Sequence, residues 1–594
     1  MSTTMKPTEV GTAFLTTSVS ESADRIFTLE QRDEEQRWFE ESAATFIQRE
    51  VLPKVDAIEH QEPGVLPGLV KKAGEQGLLM IDVPEAYGGA ELGLLVSSLA
   101  AAQLREASFS VAFGGHTTIG TLPIVFYGTE AQKQYYLPKL ASGEWIAAYA
   151  LTEPGVGSDA MGLTTRAELS DDGKYYILNG TKQWISNAGF ADVMIVFARI
   201  GNEKPSAFIV ESKWPGVSTG AEERKMGIKG SSTRQVYFEN AQVPVENLLG
   251  EIHKGYKIAF NILNIGRLKL GAGAVGGACA ALGLAAAYTT ERKAFGKFLH
   301  EFGMIKKKLA RMAAETYAAE SEVFRTAANI EQARRSAGND TEAAFRAIEE
   351  YAIEASIAKV QGSEVLAMVV DEGVQIFGGY GFMQEYPIEK AYRDARIQRI
   401  FEGTNEINRL VTSGTLFRRV LAGKIDLMAR YPVIEARVKS GQATNFADES
   451  IPTELREAVN ALERAKDVTI YSAMKIAMKY MQALEDEEEF IEYLANLLID
   501  LYATDSALAR ATQAVRRGDE NSATHIKLAQ LATWLAFSRM RSNLDQMLMT
   551  NLSESAVQEE LPHARTYIGD YLLNGVAVQR DLASIVVEKK GYPL

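Results

Sequence analysis

At 594 residues the chain is long enough for roughly three or four cores. Lysine plus arginine total 63 against 77 aspartate plus glutamate, a net charge of −14, which excludes general nucleic-acid binding by basic patches. The one cysteine, Cys279, excludes an internal disulfide and cysteine-based zinc sites and fits a reducing cytoplasm, and the six histidines show no metal-ligand spacing.

Residues 1–20 hold neither a long apolar run with a cleavage site nor an arginine, and they contain Glu9. Neither a secretory signal nor a transit peptide is expected, and residues 1–28 read as a flexible N-terminal tail. Residues 29–146 carry apolar positions at helical period, broken by loops such as "DVPEAYGGAELG". The character changes at 147–255, where "YYILNGTKQWIS", "DVMIVFARI", "SAFIVES" and "RQVYFENAQVP" are short β-branched and aromatic runs. Turn signals such as Asp172-Gly173 and Asn179-Gly180 separate them, which predicts a central antiparallel β-barrel-like domain. Helical period returns over 256–415 as a bundle, and 416–594 forms an additional helical domain. The expected fold is mainly α around that β-domain.

The run "LKLGAGAVGG" (268–277) formally matches a dinucleotide loop through Gly271, Gly273 and Gly276, with Glu291 where a ribose-binding acid would stand. No strand precedes it and no βαβ unit surrounds it, so a packed inner helix is expected, with Gly273 and Gly277 spaced for close approach of a neighbour. The uncharged span from Leu270 to Thr290 is long enough for a membrane but is dominated by glycine and alanine, which gain little in lipid.

Three stretches carry chemistry. "AYALTEPGVGSDAMG" (148–162) is a polar, permissive loop suited to a phosphate or a heterocycle edge. "KQWISNAG" (182–189) places a hydroxyl two residues after a tryptophan on a strand, a combination that can stack on and hydrogen-bond a planar group. In "QIFGGYGFMQEYPIEKAYRDARIQRIFEGTNEINR" (375–409), Glu402 lies between Phe401 and Gly403, just before a helix start at Thr404. Apolar flanks raise a carboxylate's pKa and suit it to act as a base near neutral pH.

Together these stretches, with "VPEAYGG", "ERKAFGK" and "RIFEGTNEINR" in order, resemble the flavin-dependent acyl-CoA dehydrogenases over residues 30 to 415. The helical extension is similar to that of the family's very-long-chain branch. The resemblance implies FAD as cofactor, lined by Tyr149, Leu151, Thr152, Ser158, Trp184, Ser186, Thr404 and Glu406. Arg292, Phe295, Gln375, Gly378 and Gly379 would reach the FAD of a neighbouring subunit in a homodimer. Ala294 stands where the family often has threonine. Glu402 matches the catalytic base, and Gly266 occupies the alternative base position used by a subset of members. Substrate contacts fall to Ser158, Arg267, Gly403, Gly114 and Gly115, and the two glycines 114 and 115 imply a deep pocket for long chains. The implied reaction is α,β-dehydrogenation of an acyl-CoA thioester, the first step of fatty-acid β-oxidation. An electron-transferring flavoprotein is the implied acceptor. An oxidase using dioxygen, or a scaffold built on the extension, are the alternatives. A cytoplasmic enzyme is expected, with peripheral membrane association through the amphipathic run "HIKLAQLATWLAFSRMRSNLDQMLM" as a further option.

Overall fold

The computed structural model describes residues 10–338 and 340–594. Helices precede and follow a single large sheet. Its strands are β1 (Ala147–Ala150), β2 (Arg166–Leu169), β3 (Tyr175–Ser186), β4 (Val193–Arg199), β5 (Pro205–Glu211), β6 (Val217–Thr219), β7 (Thr233–Pro244) and β8 (Leu248–Leu249). The order is β6-β7-β3-β2-β4-β5-β8, with β1 beside β4. This corrects the expected antiparallel barrel. β1 runs parallel to β4, β2 meets β4 in parallel at Arg166 and Arg199, and β6 and β8 remain open edges. Alternating side chains set which face of a strand is buried, and they are silent on the direction of its partner.

The helices that frame the site are α1 (Val19–Arg25), α2 (Leu94–Ala102), α3 (Ala107–Gly114), α4 (Gly255–Glu291), α5 (Gly303–Ala337), α6 (Ala352–Phe377) and α7 (Asn405–Leu421). The extension adds α8 (Arg456–Tyr480), α9 (Glu488–Arg517), α10 (Ser522–Asn551) and α11 (Gly575–Lys589). One apolar core runs without a break from α4, α5 and α6 into α8–α11, so the extension is fused to the bundle. The sheet and the N-terminal helices have smaller cores of their own.

The tail prediction needs correction. Residues 1–9 lie outside the described residues. Residues 10–28 are ordered: a helical turn at Ala13–Leu15 leads into α1, which Ser18 and Glu21 close with a capping box. Phe14, Leu15, Val19, Ala23 and Ile26 are buried. Gln513 of α9 donates to the Ala23 and Ile26 carbonyls, and Lys466 of α8 donates to the Thr17 carbonyl, so the extension clasps this segment.

The glycine run lies in α4, long and apolar enough to span a membrane but packed inside the bundle. Gly271 and Gly276 make the close approaches. A Cβ on Gly276 would overlap the Ala102 carbonyl of α2, and one on Gly271 would lie 2.7 Å from the Ala358 carbonyl of α6. Gly273, which the sequence spacing marked for packing, instead has no protein atom within 3.8 Å of such a Cβ and faces a cavity. On α10, Leu528, Leu531, Met540, Leu544 and Met547 are buried, so the apolar face weighed for membrane contact packs inside the chain's own core.

Candidate active site

Glu402 ends the segment that follows the short helix Pro387–Ala395, and Thr404 caps α7 by accepting a hydrogen bond from the Ile407 N–H (3.2 Å). The two residues before that cap turn sharply, with φ +58° at Glu402 and +82° at Gly403. A left-handed glutamate is strained and persists only where its surroundings over-determine it. Here three side chains hold the turn. Arg267 Nε donates to the Glu402 carbonyl (3.3 Å), while Lys359 Nζ (2.8 Å) and Asn408 Nδ2 (2.9 Å) donate to the Gly403 carbonyl.

The Glu402 carboxyl is buried and its Oε2 has no hydrogen-bond partner. Burial pushes its pKa up to about 7, against the pull of Arg267 and Lys359. A Cβ on Gly266 would lie 2.7 Å from that oxygen, so the glycine leaves room for the carboxylate.

Glu402 stands at the head of a cavity of about 600 Å³. Gly114 and Gly115 line it, as do Ser186 at the end of β3 and, along α4, Gly266, Gly273, Gly277, Ala280 and Gly283. Gly266 to Gly283 spans about 25 Å of helix. A Cβ on Gly114 would meet nothing within 4 Å. Lys269 is on the wall, but its ammonium pairs with Asp82 at 2.5 Å, which leaves the channel without a free charge there. After α3 the chain widens into a π-turn at Gly115–Gly120, which presents Thr117, Thr118 and Ile119 to the cavity. His116 anchors this turn: its Nδ1 accepts from the Ala147 N–H (3.0 Å) and its Nε2–H donates to the Leu140 carbonyl (3.0 Å). Burial lowers its pKa to about 4, so it is a neutral fixture and takes no proton.

The polar loop after β1 is fixed by Glu153, which sequence reasoning passed over. Its carboxylate accepts from the Thr164 N–H (2.7 Å), the Thr165 N–H (3.0 Å) and Lys182 Nζ (2.8 Å). Burial works against that charge, yet Lys182 and these donors bring its pKa down to about 2. The loop's outer rim, including Ser158, stays exposed. Opposite, the register of β3 against β7 slips between Lys182 and Ile185, and Trp184 swings out with φ +58°. The Tyr149 hydroxyl is buried without a partner, and Trp184 is 58% exposed. A shelf of this kind, with an orphaned hydroxyl and an outward indole, fits a planar cofactor.

The structure divides the remaining predicted residues. Thr404 and Glu406 lie beside Glu402, and Arg267 is buried beneath it, hydrogen-bonded to Asn264 (2.9 Å), so it supports the turn and does not line the cavity. Gln375, Gly378 and Gly379 lie at the far end of α6, about 24 Å along the helix from Lys359. Arg292 stacks over Tyr380 there (5.5 Å), and Phe295 is 96% exposed. Sequence reasoning also missed Lys359 and Asn408. The signal available was weak, an ordinary helical lysine and an asparagine in the first turn of α7.

A mixed sheet with one face against the helices, and a buried carboxyl with a raised pKa lining a largely apolar cavity, describe the class of an enzyme with a candidate base beside an apolar ligand channel. Comparison with known proteins names the family. The model of the acyl-CoA dehydrogenase N-terminal domain matches residues 33–144, the middle domain 148–241 and the C-terminal domain 253–416, and the ACAD9/ACADV C-terminal domain matches 453–560. A probable acyl-CoA dehydrogenase of Bacillus subtilis is 42% identical over 96% of both chains. The very long-chain specific acyl-CoA dehydrogenase of Rattus norvegicus mitochondria is 37% identical over 86% of this chain and 78% of its own. Among solved structures, an acyl-CoA dehydrogenase from Bacillus anthracis complexed with FAD superposes with a TM-score of 0.95 at 43% identity, covering 99% of this chain and all of its own. Butyryl-CoA dehydrogenase of Megasphaera elsdenii (37% identity, TM-score 0.60) covers only 66% of this chain. The chain belongs to the acyl-CoA dehydrogenase family.

Proposed function

We propose that this chain carries out FAD-dependent α,β-dehydrogenation of acyl-CoA thioesters to trans-2-enoyl-CoA, the first step of fatty-acid β-oxidation, with long chains preferred. The observation that carries the reading is the unpartnered Glu402 carboxylate at the head of the long apolar cavity. Glu402 takes the α-proton of the thioester. Its pKa near 7 places it where a carboxylate is both ionised and basic enough to be effective near neutrality. FAD, when bound, supplies the acceptor for the β-hydrogen. Tyr149, Leu151, Thr152, Ser158, Trp184, Ser186, Thr404 and Glu406 are the residues that would hold it.

Channel length supports the substrate preference. Half of a bilayer's ~30 Å hydrocarbon core, about 15 Å, accommodates one membrane acyl chain. The glycine-lined wall of α4 runs about 25 Å. The exposed group of Arg292, Phe295, Gln375, Gly378 and Gly379 lies too far along α6 to serve the same flavin, which supports a homodimer in which it contacts the neighbour's. Electron-transferring flavoprotein is the proposed acceptor, and the single cysteine fits a cytoplasmic enzyme.

The test is anaerobic titration of the purified flavoprotein with saturated acyl-CoAs from butyryl to stearoyl. Bleaching of the flavin, strongest with long chains, is expected. No bleaching with any thioester would overturn the reaction, and a maximum with butyryl-CoA would overturn the chain-length preference. Peroxide formation in air in place of reduction of electron-transferring flavoprotein would reassign the acceptor.

A further inference from the structure

Lys359, one of the three side chains that hold the turn, is fully buried on α6. A buried ammonium is retained only when its hydrogen bonds are worth the desolvation. Its two are the Gly403 carbonyl (2.8 Å) and Asn405 Oδ1 (2.6 Å). Asn405 is itself fixed, donating to Ser363 (3.1 Å) and Glu364 (3.0 Å). Lys359 therefore reaches from one helix to the strained turn of another and meets it one residue beyond the base.

We propose that Lys359 is the positioning residue of the base: it locks the left-handed Glu402–Gly403 turn and sets a positive charge behind the Glu402 carboxylate. The proposal rests on Glu402 being the base. Two cations face that carboxylate, Arg267 from α4 and Lys359 from α6, and the Tyr149 hydroxyl faces it from β1. Glu364 and Glu406 face Lys359 in turn, with Arg267 opposing them. Burial pulls Lys359 below the ordinary lysine range, against the pull of Glu402, Glu364 and Glu406.

The experiment is stopped-flow flavin reduction by acyl-CoA across pH in the full-length holoenzyme, comparing Lys359→Gln, Lys359→Met and Lys359→Arg with Glu402→Gln. Lys359→Gln keeps a donor and removes the charge. The acid limb of the rate moves upward by roughly one unit or more, because the Glu402 anion loses a neighbouring cation. Lys359→Met shows the same shift and a plateau about a hundredfold lower, because the turn is released. Lys359→Arg returns the limb toward the wild-type position. FAD content and acyl-CoA affinity stay unchanged throughout. An acid limb that stays in place in both uncharged variants, while Glu402→Gln is inactive, overturns the proposal. So does loss of FAD and acyl-CoA binding in parallel with rate, the mark of a packing role. If Glu402→Gln still reduces flavin, the base assignment itself falls. Should the Lys359 variants fail to fold, Asn405→Ala leaves the charge and removes its anchor. A lower plateau with an unmoved limb is then expected, and an unaltered plateau overturns the proposal.

Discussion

Two buried carboxyl groups, Glu402 in the active-site turn and Glu322 in the seam between bundle and extension, begin alike and end differently. Glu322 is fully buried and Glu402 has a buried carboxyl oxygen, and both have oxygens without a hydrogen-bond partner. Burial raises both. At Glu402, Arg267 and Lys359 oppose the rise and leave the group near 7. At Glu322, burial is joined by nearby Asp500, and Arg325, bonded to Asp505 at 2.6 Å, opposes them too weakly, so the carboxyl is held well above the usual range, which favours its neutral form. The lesson lies in the neighbouring cations. Two cations stand against burial at Glu402, whereas at Glu322 a single cation, itself committed to Asp505, stands against burial and Asp500 together.

The seam shows that commitment throughout. Asp505 is shared by Arg325 and Lys466 (2.7 Å), Arg510 lies between Glu30 (2.6 Å) and Glu320 (2.7 Å), and Arg539 joins Asp500 (2.7 Å) to Glu315 (2.6 Å). These pairs tie α5 to the extension and to the N-terminal segment. The seam is a structural joint, and the turn is the proposed site of chemistry.

The largest effect that separates the two regions is expected from Glu402→Gln. Flavin reduction by acyl-CoA falls about 10³-fold, as general-base loss implies, with FAD content kept. Stability moves the other way. A carboxyl whose pKa rises from 4.5 to about 7 on folding destabilises its protein progressively as pH climbs through that window, by about 3 kcal/mol above it. The variant's Tm therefore matches wild type at pH 4 and exceeds it at pH 8. An active variant would move the base elsewhere.

Asp505→Ala breaks the seam and is expected to lower stability by about 3–5 kcal/mol, because Arg325 and Lys466 lose their shared carboxylate. Turnover per folded, flavin-loaded molecule stays at wild-type level. Urea unfolding beside steady-state turnover separates the two, and a loss of turnover with stability intact would contradict the division into joint and site. A third effect, smaller again, concerns the channel. Gly273→Leu fills open space beside Ala101 and Ser110 and shifts the preferred thioester to shorter chains. An unchanged chain-length profile would show that tails do not follow α4.

Much of the turn was legible in the sequence because its information is local. Glu402, Gly403 and the Thr404 cap are adjacent, and apolar flanks already signal a raised pKa. Lys359 was not legible. It reaches Gly403 from 44 residues away, and a single lysine in a helix looks in the sequence like any solvated one. The N-terminal segment misled for the opposite reason. Its serines and threonines read as a tail, while Phe14, Val19 and Ala23 are buried in the core they share with the distant extension. The glycine run is a packed helix, as the absence of a preceding strand implies, but its two faces are not separable in the sequence. Gly271 and Gly276 admit neighbouring backbones, and Gly273 opens the channel, a distinction set by three-dimensional neighbours that spacing alone does not encode.

The smallest expected effect is the most discriminating. Glu322→Gln replaces a neutral acid with a neutral amide of nearly the same shape, so turnover and its pH dependence stay unchanged. The linkage has the same sign as at Glu402. The folded pKa lies above the unfolded one, so wild type is at full stability below the unfolded value and loses it as pH rises toward the folded one. Glutamine has no proton to lose. The Tm difference between variant and wild type is therefore near zero at pH 4 and grows in the variant's favour toward pH 8, as at Glu402, but without any change in chemistry. Calorimetry at the two pH values measures it. A variant less stable than wild type at pH 8 would mean that Glu322 is ionised and paired in the folded enzyme, and the contrast with Glu402 would then rest on geometry alone.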